Sequence, residues 1–304
     1  MEKIIKEILE KENIDCQEVT KATSGFTNLV YFLDDKFVLK MSKEEKVKAK
    51  LDKEASIYKN VKISCIPTFK AAGRCQDFQY LIISRLQGKS LYSIWHKLSG
   101  EEREGAVKQI AQILKEFNAQ DSNFLESQYK IENWAEYMAG ELKTKIEELK
   151  EMGYQPCQVQ QFVDGGLSTL FKNNTYGLVY NDAHFDNFIY NDGILKLIDF
   201  DRVVQCPIDY EMLIFKTMCE NPLKFASEED EPNIKEEDYA GIYQQLKKEY
   251  PKMFEDENVE KRIAVYQFNY LMGQAIKCKD KEWIEKLLQM FKQKIWEEKE
   301  KDIL

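Results

Sequence analysis

The sequence predicts an α+β protein in two unequal parts, a small β-rich part over residues 1–86 and a larger, mostly helical part over 87–304. Three observations predict it. Short apolar runs separated by turn residues cluster before residue 85. Beyond that point apolar residues recur at spacings of three and four over long stretches. One island of short strands, from Tyr176 to Phe200, interrupts the helices.

Residues 1–12 read as an amphipathic, charged helix and not as a signal peptide. Residues 19–24 and 29–33 read as strands around the loop Ser24-Gly25-Phe26-Thr27-Asn28. Asp34-Asp35-Lys36 is a turn, so Leu29–Leu33 and Phe37–Lys40 form a hairpin. Val47, Leu51, Glu54, Ala55 and Tyr58 give 43–60 helical spacing. Strands follow near 66–72 and 79–84. Arg85-Leu86-Gln87-Gly88-Lys89 breaks the pattern, and Ser90 is placed to cap the next helix. An apolar stripe through Ala106, Val107, Ile110, Ile113, Leu114 and Phe117 marks a long helix. Further helices are predicted at 131–152, 157–172, 209–220, 235–250, 258–278 and 280–300.

The 304 residues are 43% hydrophobic and 32% charged, a composition that buries a sizeable core. A net charge of −9 and a pI near 5.1 repel nucleic-acid backbones and anionic membranes. No apolar run approaches the ~20 residues that span a bilayer. The seven cysteines show no C-x-x-C spacing and no matching histidine cluster, so a zinc site is not expected. These features fit a reducing cytoplasm.

The strand island carries the chemistry. Phe188-Ile189-Tyr190 and Leu195-Lys196-Leu197-Ile198 are joined by Asn191-Asp192-Gly193, a tight-turn signal. A hairpin here brings Asn187, just before its first strand, beside Asp199, just after its second. Asp182 and Asn187 stand in D-x-x-x-x-N spacing. Phosphoryl transfer needs such a set: one carboxylate for the attacking hydroxyl, and an amide oxygen and a second carboxylate for Mg²⁺ on the phosphates. Asn, Asp and Gly are also ordinary loop residues. The coupling of the spacing to a hairpin and then to Ile-Asp-Phe-Asp is what makes the signal specific.

Tyr-Asn-Asp-Ala-His-Phe-Asp-Asn-Phe-Ile followed by Leu-Ile-Asp-Phe-Asp resembles the motif pair of the aminoglycoside phosphotransferase and choline kinase superfamily. The resemblance implies the two-lobed protein-kinase-like fold. It implies Asp182 as the catalytic aspartate, Asn187 and Asp199 as metal ligands, and supporting roles for His184 and Asp201. The usual His-Gly before the aspartate is replaced by Tyr180-Asn181, which bears on loop geometry more than on chemistry. Asp201 stands where protein kinases carry Gly, which favours the small-molecule branch.

The same resemblance assigns Lys40, paired with Glu54, to the α- and β-phosphates. Surface Lys and Glu would be the ordinary reading of that segment. Ser24, Gly25 and Thr27 are placed over the phosphates, and Ser84 and Leu86 at the inter-lobe hinge against the base. Asp209 reads first as a helix N-cap, with any brace to the catalytic loop secondary.

The implied co-substrate is ATP or GTP with Mg²⁺. The acceptor is a small alcohol, aminoglycoside-like or an amino alcohol, with a cationic acceptor admitted. The acidic run Ser227–Asp238 reads as a solvated loop or as an acidic rim. Trp134, Tyr137, Tyr266, Phe268, Tyr270 and Trp283 read as core or as a cation–π cage. Helix 280–300 packs internally or makes a dimer contact, so monomer and homodimer both stand. The rival readings are a choline, ethanolamine or other metabolite kinase, a nucleotide-binding pseudokinase with a regulatory role, and a purely structural helical protein.

Overall fold

The computed structural model describes residues 1–22 and 29–296. The predicted loop residues Ser24, Gly25 and Thr27 lie outside it. Helix α1 (Glu2–Lys11) precedes strands β1 (Val19–Lys21), β2 (Leu29–Leu33) and β3 (Phe37–Ser42). Helix α2 (Glu45–Asn60) follows, then β4 (Phe69–Cys75) and β5 (Phe78–Ser84). Among the described residues these strands form one antiparallel sheet in the order β1-β2-β3-β5-β4.

Strand alternation divides this sheet between two cores. Phe78, Tyr80 and Ile82 of β5 join Leu39 and Met41 of β3 against Ile5 and Ile8 of α1. Leu81 and Ile83 point to the other face, where Leu51, Ala55 and Tyr58 of α2 continue into the large core of the helical lobe. Period two therefore puts Lys40, between Leu39 and Met41, on the α2 face.

The second lobe begins with β6 (Lys89–Ser90), α3 (Leu91–Trp95) and α4 (Gly100–Asn118). Ser90 caps α3 as expected, its hydroxyl accepting from the Ser93 amide at 3.3 Å. Ser99 and Glu102 form a reciprocal capping box at the start of α4. Then come α5 (Trp134–Glu151), α6 (Cys157–Gly165), α7 (Leu167–Leu170), β7 (Tyr176–Val179), β8 (Phe188–Asn191), β9 (Ile194–Leu197) and β10 (Val204–Pro207). The chain closes with α8 (Met212–Glu220), α9 (Ile242–Glu249), α10 (Val259–Cys278) and α11 (Lys281–Phe291).

Several boundaries differ from the sequence reading for local reasons. The helix expected over 157–172 is broken at Gly165-Gly166 into α6 and α7. The one expected at 209–220 opens as a 3₁₀ turn, Ile208–Glu211, and becomes α-helical only at Met212. The last helix passes into a π-turn at Lys292–Trp296. No helix among the described residues is long and apolar enough to cross a membrane.

Two antiparallel ladders carry the central loops. β7 pairs with β10, and β8 with both β6 and β9. The β8–β9 hairpin closes on Asp192 and Gly193, whose φ angles of 48° and 83° make the doubly left-handed turn that suits twisted strands. Gly177 of β7 lies so close to α4 that a Cβ there would meet the Asn118 carbonyl oxygen at 2.6 Å and Ile208 Cγ2 at 2.8 Å. Gly177→Ala is therefore expected to cost about 1–3 kcal/mol, the usual range for overpacking, read as a lower denaturation midpoint.

Candidate active site

Two loops meet at the cleft, residues 180–187 between β7 and β8 and residues 198–203 between β9 and β10. The Ile198 amide donates to the Asn187 carbonyl at 3.0 Å, and Tyr180 Oη donates to the Ile198 carbonyl at 2.6 Å. Tyr180, standing where histidine is usual in the resembled motif, thus ties the two loops directly. Asn181, standing where glycine is usual, adopts φ 59°. Asparagine is among the few side chains that tolerate that left-handed conformation. Asp199 is also left-handed, at φ 64°. The altered pair thus supplies a loop-to-loop bond and a left-handed turn of its own.

Asp182 lies beside Asn187, as the spacing predicts. Asn187 Nδ2 donates to Asp182 Oδ2 at 3.0 Å and to the Asp182 carbonyl at 2.9 Å, and His184 Nε2 sits 3.5 Å from the same Oδ2. The other oxygen, Oδ1, is 3.1 Å from Arg202 Nη1. Burial alone would push this carboxyl up. The hydrogen bond from His184, its charge and that of Arg202 outweigh burial and hold Asp182 below the usual range. Because the Asn187 amide nitrogen is spent on the catalytic loop, its carbonyl oxygen is the atom left to face a ligand.

Lys40 reaches across the cleft. Its Nζ is 2.7 Å from Glu54 Oε1 and 3.1 Å from Asp199 Oδ1. Burial works against its charge, but Asp199 and Glu54 override it and hold the lysine protonated well above its ordinary value. The pairing that the resemblance assigned, against the ordinary reading of surface charge, thus joins a part-buried lysine to a fully buried carboxylate.

Helix α2 grips the 198–203 loop at further points. Lys50 Nζ lies 2.7 Å from Asp201 Oδ2, Lys53 Nζ donates to the Val203 carbonyl at 3.1 Å, and the Phe200 amide donates to Glu54 at 3.4 Å. Burial pulls Lys53 down to about 8. The Phe200 ring packs between Tyr58, Phe117 and Tyr180. Asp201 is thus occupied by Lys50.

Asp209 corrects the sequence reading. It caps no helix: it lies inside the 3₁₀ turn, and the N-cap of α8 is Glu211, without a side-chain bond. Asp209 Oδ2 instead lies 2.8 Å from Arg262 Nε and accepts from Tyr266 Oη at 3.3 Å, anchoring the turn to α10. Glu211, two residues on, braces the catalytic loop by accepting from the Tyr180 amide at 2.8 Å and the Asn181 amide at 3.0 Å. Sequence reasoning missed Glu211 because two acids in Asp209-Tyr210-Glu211 are indistinguishable until the turn shows which faces the loop. It also missed Arg202, which no spacing rule marks.

At the hinge the Ser84 amide is spent on the Thr68 carbonyl at 2.9 Å and the Arg85 amide on the Lys36 carbonyl at 2.8 Å. Leu86 makes no backbone hydrogen bond within the described residues. Among the aromatics proposed for a cage, Trp134, Tyr266 and Phe268 are buried in the core, and Trp134 Nε1 donates to Tyr266 Oη at 3.1 Å. On the far side of the catalytic loop, Ser90 Oγ donates to Asp186 at 2.9 Å, and Phe225 approaches the His184 ring at 6.0 Å. Burial pushes the Asp186 carboxyl up against the Ser90 hydrogen bond, with a lesser contribution from Asp230 in the acidic run.

A five-stranded sheet over a helical lobe, with a lysine, two aspartates and an asparagine meeting at the junction, defines a kinase-like phosphotransferase. A model of the phosphotransferase enzyme family matches residues 18–225, and the chain belongs to that family. Phosphoryl transfer is accordingly its class of reaction. No curated protein sequence matches the chain significantly. Among solved structures, the gentamicin complex of APH(2'')-IIa gives a TM-score of 0.65 at 22% identity over 95% of both chains. ADP-bound aminoglycoside phosphotransferase APH(2'')-Ib gives 0.67 at 19%, over 95% of this chain and 97% of that one. The apoenzyme of macrolide 2'-phosphotransferase MphH from Brachybacterium faecium gives 0.59 at 8%, over 93% and 96%. At such identities the likeness concerns the fold.

Burial pushes the Glu211 carboxyl up to about 7, against the lowering effect of its two backbone donors. Below pH 4.5 it is protonated in both folded and unfolded chains, and its full contribution to stability is present. As pH rises toward 7 the unfolded chain ionises first and stability is lost. Relative to Glu211→Gln, whose amide does not titrate, the wild-type chain should lose about 3 kcal/mol between pH 4.5 and 8, at 1.36 kcal/mol per pH unit. Urea titrations of both proteins at the two pH values measure the difference.

Proposed function

We propose that the protein transfers the γ-phosphoryl group of ATP or GTP to a hydroxyl of a small-molecule acceptor, aminoglycoside-like or an amino alcohol. The observation that supports this most is the meeting of Lys40, Glu54 and Asp199 at one side of a loop pair whose other side holds Asp182 hydrogen-bonded to Asn187. A structural helical protein has no use for such an arrangement, and a binding module needs no carboxylate held ionised by His184 and Arg202.

In this reading Asp182 accepts the proton of the acceptor hydroxyl as its oxygen attacks the γ-phosphorus. The bond to the β–γ bridging oxygen breaks and the electron pair leaves with the nucleoside diphosphate. Lys40, oriented by Glu54, lies against the α- and β-phosphates. The Asn187 carbonyl oxygen and the Asp199 carboxylate would hold Mg²⁺, which neutralises charge on the phosphates. Two protein oxygens suit an ion that takes its remaining ligands from phosphate and water. The unpaired backbone of Leu86 suits the edge of a nucleotide base. Asp186 and Asp230, beside the catalytic loop, favour an amine-bearing acceptor.

Transfer of labelled phosphate from ATP and from GTP, with Mg²⁺, to aminoglycosides, choline, ethanolamine and simple sugars tests the reading. Labelling of one acceptor class is expected. Asp182→Asn should lower kcat by roughly 10²–10⁴-fold, the contribution of a positioned general base, while nucleotide binding is retained. Unchanged turnover in that variant would overturn the assignment of Asp182.

A further inference from the structure

Of the two carboxylate oxygens of Asp182, Oδ1 is the less engaged. Oδ2 accepts from Asn187 Nδ2 at 3.0 Å and faces His184 at 3.5 Å. Among the described residues Oδ1 has one partner, the Nη1 of Arg202 at 3.1 Å. The hydroxyl that Asp182 would deprotonate is therefore expected at the atom on which Arg202 rests.

The way Arg202 is held suggests a movable contact. Its neighbours in the chain are fixed from α2, Asp201 by Lys50 and the Val203 carbonyl by Lys53. Its side chain, 37% exposed, uses one donor of the five a guanidinium carries. Tyr210 and Tyr270 lie near enough to act on it electrostatically. Because Asp201 and Val203 are held from α2, the Arg202 side chain can exchange its one bond without disturbing the loop.

We propose that Arg202 is a positioning residue that occupies the nucleophile's place on Asp182 until an acceptor displaces it, and so keeps water from consuming the bound nucleotide. This rests on the phosphotransferase reading above. The step it suppresses is hydrolysis: a water oxygen would bond to the γ-phosphorus, its proton would pass to Asp182, and the β–γ bond would break, giving nucleoside diphosphate and inorganic phosphate.

The test is phosphate release from Mg-ATP and Mg-GTP without acceptor, alongside nucleotide affinity and thermal stability. Arg202→Met should raise acceptor-independent hydrolysis several-fold, a gain that mere disruption of structure does not give. Arg202→Lys, which keeps the charge on a shorter reach, should lie between Met and wild type. Asp182→Asn combined with Arg202→Met should return hydrolysis to the wild-type level. Should Arg202→Met fail to fold, Arg202→Gln carries the same expectation. Hydrolysis that is unchanged or lower in a folded, nucleotide-binding variant overturns the proposal and leaves the kinase reading intact. A rise that survives Asp182→Asn also overturns it. Failure of the wild-type protein to bind either nucleotide overturns the phosphotransferase reading itself.

Discussion

The contact on which the site depends is the ion pair between Lys40 and Glu54, closed by Asp199. Glu54 is fully buried, and the lysine charge that meets it comes from a strand in the other layer of the small lobe. Taking both charges out of water is costly, and the attraction between them returns much of that only when the geometry is good. Removing either partner leaves the other charge stranded. The pair is therefore better understood as a constraint on position than as a source of stability: it fixes β3 against α2 and aims the free edge of the ammonium at the cleft.

From that constraint the rest of the cleft follows along one helix face. Lys50, Lys53 and Glu54 lie three and four residues apart on α2, so they project together. Each takes hold of a different residue of the next loop: Asp201, Val203 and Phe200. Beside them on the helix Leu51, Ala55 and Tyr58 sink into the core. The polar stripe positions the loop that bears Asp199, the apolar stripe positions the stripe, and Glu211 holds the companion loop from below.

How much of this was legible beforehand depended on the range of the interaction. The Asn191-Asp192-Gly193 turn and the flanking β-prone runs announce a hairpin, and a hairpin places Asn187 beside Asp199 with no further information. Lys40 and Glu54 are named by the family resemblance, and period two in β3 and the helical spacing of α2 only put them in reach of each other. What the chain did not disclose are contacts set by tertiary packing. Nothing local distinguishes Glu211 from Asp209, since which acid meets the catalytic-loop amides depends on a 3₁₀ turn whose orientation is fixed by Arg262, 53 residues away from Asp209 in the chain. Arg202 is similarly silent, because its partner Asp182 is 20 residues distant and in a different loop. The replaced Tyr180 and Asn181 looked like departures in one dimension, and in three they make a loop-to-loop bond and a left-handed turn.

The division of the small lobe between two cores bears on how the cleft can change shape. The face of the sheet that carries α2 shares one continuous apolar core with the helical lobe, whereas the face that carries α1 encloses its own. Swinging α2 away from the helical lobe would expose Leu51, Ala55 and Tyr58 to water, at about 25 cal/mol for each Å² uncovered. Helix α2 packs on β3, β4 and β5 and, through the same apolar core, joins the helical lobe. Any change in the width of the cleft therefore passes through the helix whose Lys50, Lys53 and Glu54 hold the loop that bears Asp199.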